Sequence, residues 1–260
     1  MQIIVTTSRK CANSSHAIDD AKALAKYLNG DYLERHDSNT TLASLLKIAP
    51  IVVIVEQDRL IAHNTQGKKL FFHPGMSLHK IRGIVSGEKD PIVTATDLKS
   101  GDSVLDCTLG LANDALLFSY IAGKSGLVVG VESSKLIASL ALRGLRDYRF
   151  PIADLQDAAH RIRIIAGDSC EILTYLPDNS FDVVYFDPFF TDTILESANM
   201  QQLRAFGDHR RVSRAAIEQA LRVARKRVVM KDRNSNNDLQ HLGFSEAEGR
   251  GSVVYGVIRK

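Results

Sequence analysis

The chain reads Val104-Leu105-Asp106-Cys107-Thr108-Leu109-Gly110-Leu111-Ala112-Asn113-Asp114 near its middle, and no other segment says more about its architecture. An apolar strand ends here in an acid, a turn containing a glycine follows, and a helix begins. Gly110 allows a ligand to approach the backbone closely. The start of the helix offers free N–H groups to a carboxylate. Taken alone, the segment also suits any strand–turn–helix unit of an α/β protein.

Strands and helices alternate on the carboxyl side of this segment. Apolar strands are predicted at residues 103–106, 126–132, 162–166, 181–186, 227–231 and 253–258, and helices at 113–122, 134–146, 170–176 and 213–224. Continuous apolar strands separated by helices predict an α/β fold with a mostly parallel sheet and helices on both of its faces. In such folds ligands bind at the carboxyl ends of the strands, where the strand order reverses.

The first 97 residues mix strands and helices without this alternation. Strands are predicted at residues 3–7, 31–34 and 51–55, a hairpin at 60–63 and 69–72, and helices at 17–28, 40–48, 78–85 and 91–96. The pattern changes at Lys99-Ser100-Gly101-Asp102. The sequence therefore predicts a small N-terminal α+β domain over residues 1–97, suited to substrate recognition, and a second domain over residues 98–260.

Two further strand ends carry acids that suit a nucleoside ligand. Glu132 ends the second strand, at the offset from Asp106 that is typical of an acid accepting hydrogen bonds from ribose hydroxyls. Asp168 follows the third strand and could accept a hydrogen bond from an adenine amine. Each acid is ordinary by itself, because acids often follow strands and Gly167-Asp168-Ser169 is also good turn chemistry. Their order along the chain favours a ligand site.

The fourth strand runs into Asp187-Pro188-Phe189-Phe190. An amine attached to a nucleobase is a poor nucleophile, because its lone pair is spread into the ring. Asp187 and the carbonyl of Pro188 could accept its two hydrogens, and Phe189 or Phe190 could stack on the base. A strand ending in a proline turn with core aromatics is the structural alternative for this tetrapeptide taken alone.

The order of these strand ends resembles class I (Rossmann-like) S-adenosylmethionine (SAM)-dependent methyltransferases, and residues 187–190 resemble the Asp/Asn-Pro-Pro-Phe/Tyr tetrapeptide of amino-group methyltransferases. More narrowly, residues 105–115, 185–190 and 226–231 resemble the small-subunit ribosomal RNA guanine-N2 methyltransferase family. The match covers about residues 99–235. Phe189 departs from the usual proline of the tetrapeptide, and Ala112 stands where the family has a second glycine. The resemblance implies methyl transfer from SAM to a guanine amine by in-line displacement.

The strand ends and the resemblance together assign a candidate site. The candidate catalytic residues are Asp187, Pro188, Phe189 and Phe190. The candidate cofactor-binding residues are Asp106, Thr108, Gly110, Asp114, Glu132, Ser133, Asp168, Ser169 and Asp187. Basic residues that could hold RNA are Lys68, Lys69, Lys80, Arg82, His209, Arg210, Arg211 and Lys231. For the first four, a solvated basic surface is an equally good interpretation. The eight histidines lack metal-ligand spacing, so no metal is expected.

Composition sets limits on the partners and the compartment. A net charge of +3 is compatible with a nucleic-acid partner without requiring one. Three cysteines are too few for a disulfide framework and fit a reducing, cytosolic compartment. No signal peptide and no long apolar run is present, so no membrane partner is expected. Ribosomal RNA or a small-subunit particle is the expected partner, and the oligomeric state is left open.

Other functions compete with this interpretation. A nicotinamide-dependent oxidoreductase should show Gly-x-Gly-x-x-Gly after its first strand, and Gly110 stands without those partners. A non-catalytic RNA-binding or assembly factor would not need the ordered acids at four strand ends. Methylation of adenine N6 or of a glutamine side-chain amide would use related tetrapeptides. A cytosine-C5 enzyme needs a nucleophilic cysteine, but Cys107 lies in the cofactor turn and no Pro-Cys pair exists.

Overall fold

The computed structural model describes residues 2–35, 40–189, 202–233, 238–244, 246–249 and 252–260. Two sheets organise these residues. The first sheet has five strands in the order β2-β1-β3-β4-β5. Its strands are β1 (Ile3–Thr7), β2 (Asp31–Tyr32), β3 (Ile51–Val55), β4 (Leu60–Asn64) and β5 (Lys69–Leu70). β1 runs parallel to β2 and β3, whereas β3, β4 and β5 are antiparallel neighbours.

Two helices accompany the first sheet. Helix α1 (Ser15–Tyr27) begins at Ser14, whose side chain accepts a hydrogen bond from the backbone N–H of Ala17. Helix α2 (Leu42–Leu46) begins with a capping box between Thr41 and Ser44. The two helices pack in different core clusters around the sheet, so β1 and β3 are buried throughout.

The second sheet has seven strands in the order β11-β12-β10-β9-β6-β7-β8. Its strands are β6 (Ser103–Asp106), β7 (Leu127–Glu132), β8 (Arg163–Ala166), β9 (Phe181–Phe186), β10 (Ala224–Arg233), β11 (Glu246–Glu248) and β12 (Val253–Arg259). All neighbours are parallel except at β12, which is antiparallel to β10 and β11. The predicted α/β fold with a mostly parallel sheet is therefore confirmed. The strand order reverses where β6 lies between β7 and β9.

Helices cover both faces of the second sheet, as predicted. They are α5 (Asn113–Ala122), α6 (Lys135–Asp147), α7 (Ala153–Arg161), α8 (Ser169–Tyr175), α9 (Arg214–Val223) and α10 (Asp238–His241). Phe118 of α5 packs edge-on against Tyr185 of β9, with ring centroids 5.0 Å apart, in the core on one face. Ile217 of α9 packs with Val184 and Phe186 in the core on the other face. Among the described residues, no helix has the length and apolar content to cross a membrane.

Helices α3 (Gly75–Val85) and α4 (Pro91–Thr96) precede the predicted domain boundary but pack with the second sheet. Ile81 and Ile92 lie in the same buried cluster as Leu116 of α5. Helix α6 contacts the first sheet in return, through Ile137 and Leu140. The division at residue 97 stays a prediction, and the two sheets are joined by these buried helices.

Helices α7 and α10 and strand β11 were not anticipated from sequence. Helix α7 follows Pro151 and buries Leu155, Ala158 and Ala159, which are mostly small residues on an otherwise polar helix. Such a stripe carries a weak apolar signal. Strand β11 has three residues and only completes the sheet edge beside β12. Strand β10 also begins earlier than predicted, with a register irregularity between Ala224 and Arg227.

Candidate active site

A cavity of about 610 Å³ lies at the carboxyl ends of the strands beside the reversal in strand order. Asp106, Glu132, Asp168 and Asp187, which follow four successive strands, all line this cavity. The parallel strands bring these acids to one edge because they end at the same side of the sheet. Thr108, Gly110, Asp114, Ser133 and Ser169 also line the cavity, so the structure gathers the whole predicted cofactor-binding set.

The turn after β6 is shaped by local hydrogen bonds and left-handed backbone. The Asp106 carboxylate accepts the N–H of Thr108 at 3.1 Å, and the Thr108 hydroxyl accepts the N–H of Asp187. Gly110 has φ +54° and Ala112 has φ +60°. Glycine tolerates this conformation, whereas alanine at position 112 adopts it with strain. Ala112 gives α5 no side-chain cap, so the first-turn N–H groups of α5 keep their donor capacity for a ligand.

Glu132 ties this turn to the start of α6. One carboxylate oxygen accepts the N–H of Gly110 at 2.9 Å, and the other accepts the N–H of Ser134 at 2.8 Å. Burial raises the pKa of Glu132, and these two backbone hydrogen bonds oppose that rise. Oε1 also accepts from the Ser133 hydroxyl at 3.5 Å, while the second lone pair of Oε2 suits a ribose hydroxyl.

Asp168 caps α8 and forms an ion pair with Arg210, which follows residues 187–190 in the chain. Its Oδ1 accepts the N–H of Cys170 at 2.8 Å, and its Oδ2 accepts from Arg210 Nη1 at 2.6 Å. Arg210 also contacts Asp208, so its guanidinium bridges two carboxylates. Those contacts raise the pKa of Arg210. The structure therefore places Arg210, predicted to bind substrate, beside a predicted cofactor-binding acid.

Asp187 and Lys231 form a buried ion pair at the end of β9 and β10. Lys231 Nζ donates to Asp187 Oδ2 at 2.8 Å, while Asp187 Oδ1 is buried with no hydrogen-bond partner among the described residues. Burial raises the pKa of the Asp187 carboxyl, and the charge of Lys231 opposes this rise. Burial lowers the pKa of Lys231, but the charges of Asp187 and Asp114 outweigh it, and the net direction is upward.

Asp114 belongs to the same charge cluster. Its carboxylate accepts from Lys80 Nζ at 2.8 Å and from the Tyr185 hydroxyl at 2.8 Å. Burial opposes the ionised form, but the charges of Lys80 and Lys231 dominate and lower the pKa of Asp114. Lys80, predicted to bind phosphate, thus lies inside the protein as the counterion of an acid predicted to bind cofactor. Tyr185 was not predicted as a site residue, although the hydroxyl of a buried tyrosine usually has a hydrogen-bond partner.

Of the two aromatic residues predicted to stack on the base, Phe189 lies within the described residues. Phe189 lines the cavity, and its ring centroid is 5.4 Å from that of His209 at 31°. Arg204 lies over the same ring, with Cζ 5.1 Å from the centroid. Phe190 lies outside the described residues. Pro188 also lines the cavity, directly after Asp187.

The basic residues predicted to bind substrate separate into two groups. Lys80, Arg210, Arg211 and Lys231 line the cavity, whereas Lys68, Lys69, Arg82 and His209 lie outside its lining. Arg211 is exposed and has Nη1 3.6 Å from Asp238 Oδ1. His73, Phe71, Met76 and Leu203 also line the cavity, and the last three were not predicted as site residues from the sequence. Phe71 follows β5 and Met76 lies in α3, so only tertiary packing brings them to the cavity.

The donor and acceptor set fits SAM. The open start of α5 suits the carboxylate of the amino-acid moiety, Glu132 suits the ribose, and Asp168 suits the adenine amine. A side chain at Gly110 would project toward Leu203, with Cβ 3.4 Å from its Cδ2, so glycine preserves space at this wall. No group of three or more metal-ligating side chains occurs within the described residues.

Comparisons with known proteins agree with this geometry. The family model SAM_MT, for SAM-dependent methyltransferases, matches residues 40–248. The crystal structure of a SAM-dependent methyltransferase from Neisseria gonorrhoeae superposes with a TM-score of 0.66 at 17% identity, covering 100% of this chain and 96% of that one. At this identity the superposition establishes a shared fold.

Several relatives are similar in sequence. The uncharacterized protein YpiP of Bacillus subtilis is 38% identical over 98% of this chain and 99% of its own length. Proteins named ribosomal RNA small subunit methyltransferase J from Alteromonas mediterranea and Laribacter hongkongensis are 29% and 33% identical, over 64% and 62% of this chain. These alignments span 63% and 57% of the two methyltransferases, which is less than two thirds of their length.

The family match covers most of the chain and includes every acid that lines the cavity. The fold has the sheet, the strand-order reversal and the carboxyl-end cavity that SAM-dependent methyltransferases use. This chain therefore belongs to the SAM_MT family and is a SAM-dependent methyltransferase.

Proposed function

We propose that the enzyme methylates an exocyclic nucleobase amine in RNA, and that the amine is N2 of a guanine in small-subunit ribosomal RNA. One observation supports an amine as the methyl acceptor. Asp187 Oδ1 is buried without a hydrogen-bond partner among the described residues, while Lys231 donates to Oδ2 of the same carboxylate. A buried acceptor without a partner is costly. An amine that donates to Oδ1 would remove this cost at the place where the methyl group must arrive.

The chain's own residues can orient such an amine. Asp187 Oδ1 accepts one hydrogen and the carbonyl oxygen of Pro188 accepts the other. Pro188 has no N–H to compete for the same acceptors. The ion pair with Lys231 restrains the carboxylate, so that its free oxygen keeps one direction. Both hydrogen bonds draw the nitrogen lone pair out of conjugation with the ring and toward the methyl donor.

SAM supplies a methyl group on a sulfonium, which departs as a neutral thioether. Because the leaving group is already good, catalysis depends mainly on alignment of the amine. The nitrogen gains positive charge as the new bond forms and then loses one proton. Asp187 Oδ1 is in place to take that proton, and the burial that raises the pKa of Asp187 favours its transfer.

Ribosomal RNA as the substrate is supported by the relatives and by the cavity. Two relatives are named ribosomal RNA small subunit methyltransferase J. Arg211, beside the cavity, is exposed and can meet a phosphate. A target guanine in a paired region would have to leave its stack before it could reach Asp187. A cytosolic location, where ribosomal RNA is assembled, is part of this proposal.

The test is methyl transfer to small-subunit ribosomal RNA that lacks base methylation. The RNA is incubated with enzyme and isotope-labelled SAM, digested to nucleosides and analysed by mass spectrometry. We expect labelled N2-methylguanosine, and none with Asp187→Ala. Labelled N6-methyladenosine would correct the base. Label on protein glutamine and not on RNA would replace the substrate class.

SAM binding without transfer to any acceptor would favour a different function, that of an RNA-binding or assembly factor. The same RNA serves for that comparison. A binding measurement by filter retention then shows whether the protein retains RNA in the absence of chemistry.

A further inference from the structure

The β4–β5 hairpin presents one face that the first-sheet core does not use. Burial alternates along β4, where Leu60, Ala62 and Asn64 are buried and the two residues between them are half-buried. Leu60 and Ala62 pack into the core with Leu70 of β5. Side chains of neighbouring positions in a strand point to opposite faces, so Ile61 and His63 point away from that core. We call the surface formed by the exposed Lys69 and the half-buried Ile61, His63 and Phe71 the hairpin face.

Helix α2 covers the same side of the sheet only over its other strands. Leu45 and Ala49 pack with Ile4, Val52 and Ile54, which belong to β1 and β3. No hydrophobic cluster of the described residues includes Ile61 or Phe71. Within the described part of the chain, the hairpin face is therefore only partly covered beyond the edge of α2.

Two cationic side chains lie over the Phe71 ring, and one of them, Arg59, is paired with Glu56. Lys69 Nζ lies 5.6 Å and Arg59 Cζ lies 5.9 Å from its ring centroid. The His73 ring is 6.4 Å from it. Lys69 is exposed and lies directly opposite His63 in the strand register. An aromatic ring within a group of cations is complementary to an unpaired nucleotide, which offers a base to the ring and a phosphate to the charges.

The hairpin face is continuous with the active-site cavity. Phe71 and His73 line the same cavity as Asp187. A nucleotide on the ring of Phe71 would therefore be a near neighbour of the target base along the RNA.

We propose that the hairpin face binds an unpaired segment of RNA beside the target nucleotide, with one base stacked on Phe71 and a phosphate paired with Lys69. This inference rests on the proposed function, because it takes RNA as the substrate. It assigns the N-terminal strands a direct part in RNA recognition. A base stacked on an aromatic side chain strengthens binding by about tenfold or more.

The chain contains no tryptophan, which makes a direct optical test available. Phe71→Trp introduces a single tryptophan at the proposed stacking position. Titration with a short single-stranded oligoribonucleotide should lower its fluorescence emission, because stacking contact with a nucleobase quenches indole fluorescence. Tyr175→Trp is the matched control, since Tyr175 is 78% exposed and lies outside the cavity. Its emission should not change.

Kinetics supply a second measurement that does not depend on tryptophan. Phe71→Ala should raise KM for RNA about tenfold and leave the Kd for SAM unchanged. Phe71→Tyr keeps a ring and should restore KM. Equal KM values in the wild type and Phe71→Ala would overturn the inference.

The two assays separate this inference from the proposed function. Unchanged emission of Phe71→Trp with an RNA that the enzyme methylates would overturn the inference and leave the function standing. Quenching by RNA without any methyl transfer would support the hairpin face and reject the function. Absence of both quenching and transfer would reject both.

Discussion

Lys231 Nζ lies 2.8 Å from Asp187 Oδ2 and 4.0 Å from Asp114 Oδ2, so one ammonium group interacts with two largely buried carboxylates. Asp114 accepts a further hydrogen bond from Lys80, whereas the buried Oδ1 of Asp187 has no hydrogen-bond partner among the described residues. The two acids therefore differ in their environments. Both oxygens of Asp114 have protein partners, and only one oxygen of Asp187 has a partner within the described part of the chain.

Lys231→Met should make methyl transfer depend on higher pH. Burial raises the pKa of Asp187, and the positive charges of Lys231 and Lys80 oppose this rise. The other titratable groups of this cluster are Asp114, Asp106, Tyr185 and Tyr255. Removal of Lys231 therefore raises the pKa of Asp187 further. The carboxylate acceptor then forms only at a higher pH than in the wild type. A pH profile of kcat should show its acidic limb displaced upward.

Lys231→Arg is the control for this prediction. A guanidinium retains the positive charge, so the acidic limb of the kcat profile should return toward the wild-type position. An unchanged profile in Lys231→Met would show that Lys231 does not set the ionisation of Asp187.

Asp187→Asn should lower kcat by about 10²–10³-fold, the usual cost of removing one preorganised hydrogen-bonding group from a reacting centre. The amide oxygen is the better partner for Lys231, which turns the amide NH₂ toward the substrate amine. Two donors then face each other. The Kd for SAM, measured by calorimetry, separates this loss from any weakening of cofactor binding, because Asp187 is also a candidate cofactor-binding residue. A variant with wild-type kcat would remove Asp187 from the mechanism.

Glu132→Ala should weaken SAM binding at least about tenfold, which corresponds to loss of about 1.4 kcal/mol. The substitution removes the ribose acceptor and leaves the N–H groups of Gly110 and Ser134 without their partner. Calorimetric titration measures the Kd directly. Glu171→Ala, an exposed acid in the first turn of α8, removes the same charge outside the cavity and should leave the Kd unchanged. Equal affinities in all three proteins would contradict the assignment.

Arg143→Ala should destabilise the protein by about 2 kcal/mol, as expected when hydrogen bonds to a charged group are removed. Arg143 is only 11% exposed and joins α6 to α1 through Asp20 at 2.7 Å and to the β3–β4 turn through the carbonyl of Gln57 at 3.0 Å. Urea unfolding followed by circular dichroism measures the change. Arg146→Ala removes an exposed arginine from the same helix and should cost about 0–1 kcal/mol. Equal losses would show that Arg143 does not join these elements.

Cys107→Ala should leave methyl transfer active. Burial raises the pKa of the Cys107 thiol well above its ordinary value, so the thiolate that a cytosine-C5 mechanism requires does not form. Loss of transfer in this variant, with SAM binding retained, would reopen that mechanism. The measurement is the same nucleoside analysis of methylated RNA.

Local patterns in the sequence were sufficient for most elements of the second sheet. Strands β6 and β9 and helix α5 lie where the apolar runs predict them, because each is a continuous buried segment bounded by turn residues. The acids at the ends of β6, β7 and β9 could be placed at one edge for the same reason, since parallel strands end together. Small or polar elements such as α7 carried too little apolar pattern to be found.

The sequence by itself determined the positions of most strands along the chain, the acids that follow them and the class of chemistry. Tertiary structure alone decided how those acids are used. Lys80 and Asp114 are 34 positions apart, and both had been assigned to ligands, yet packing of α3 on α5 pairs them with each other. Phe71 reaches the cavity for a similar reason. A charge or ring acts on whatever lies within a few ångströms in space, and a one-dimensional pattern does not contain those distances.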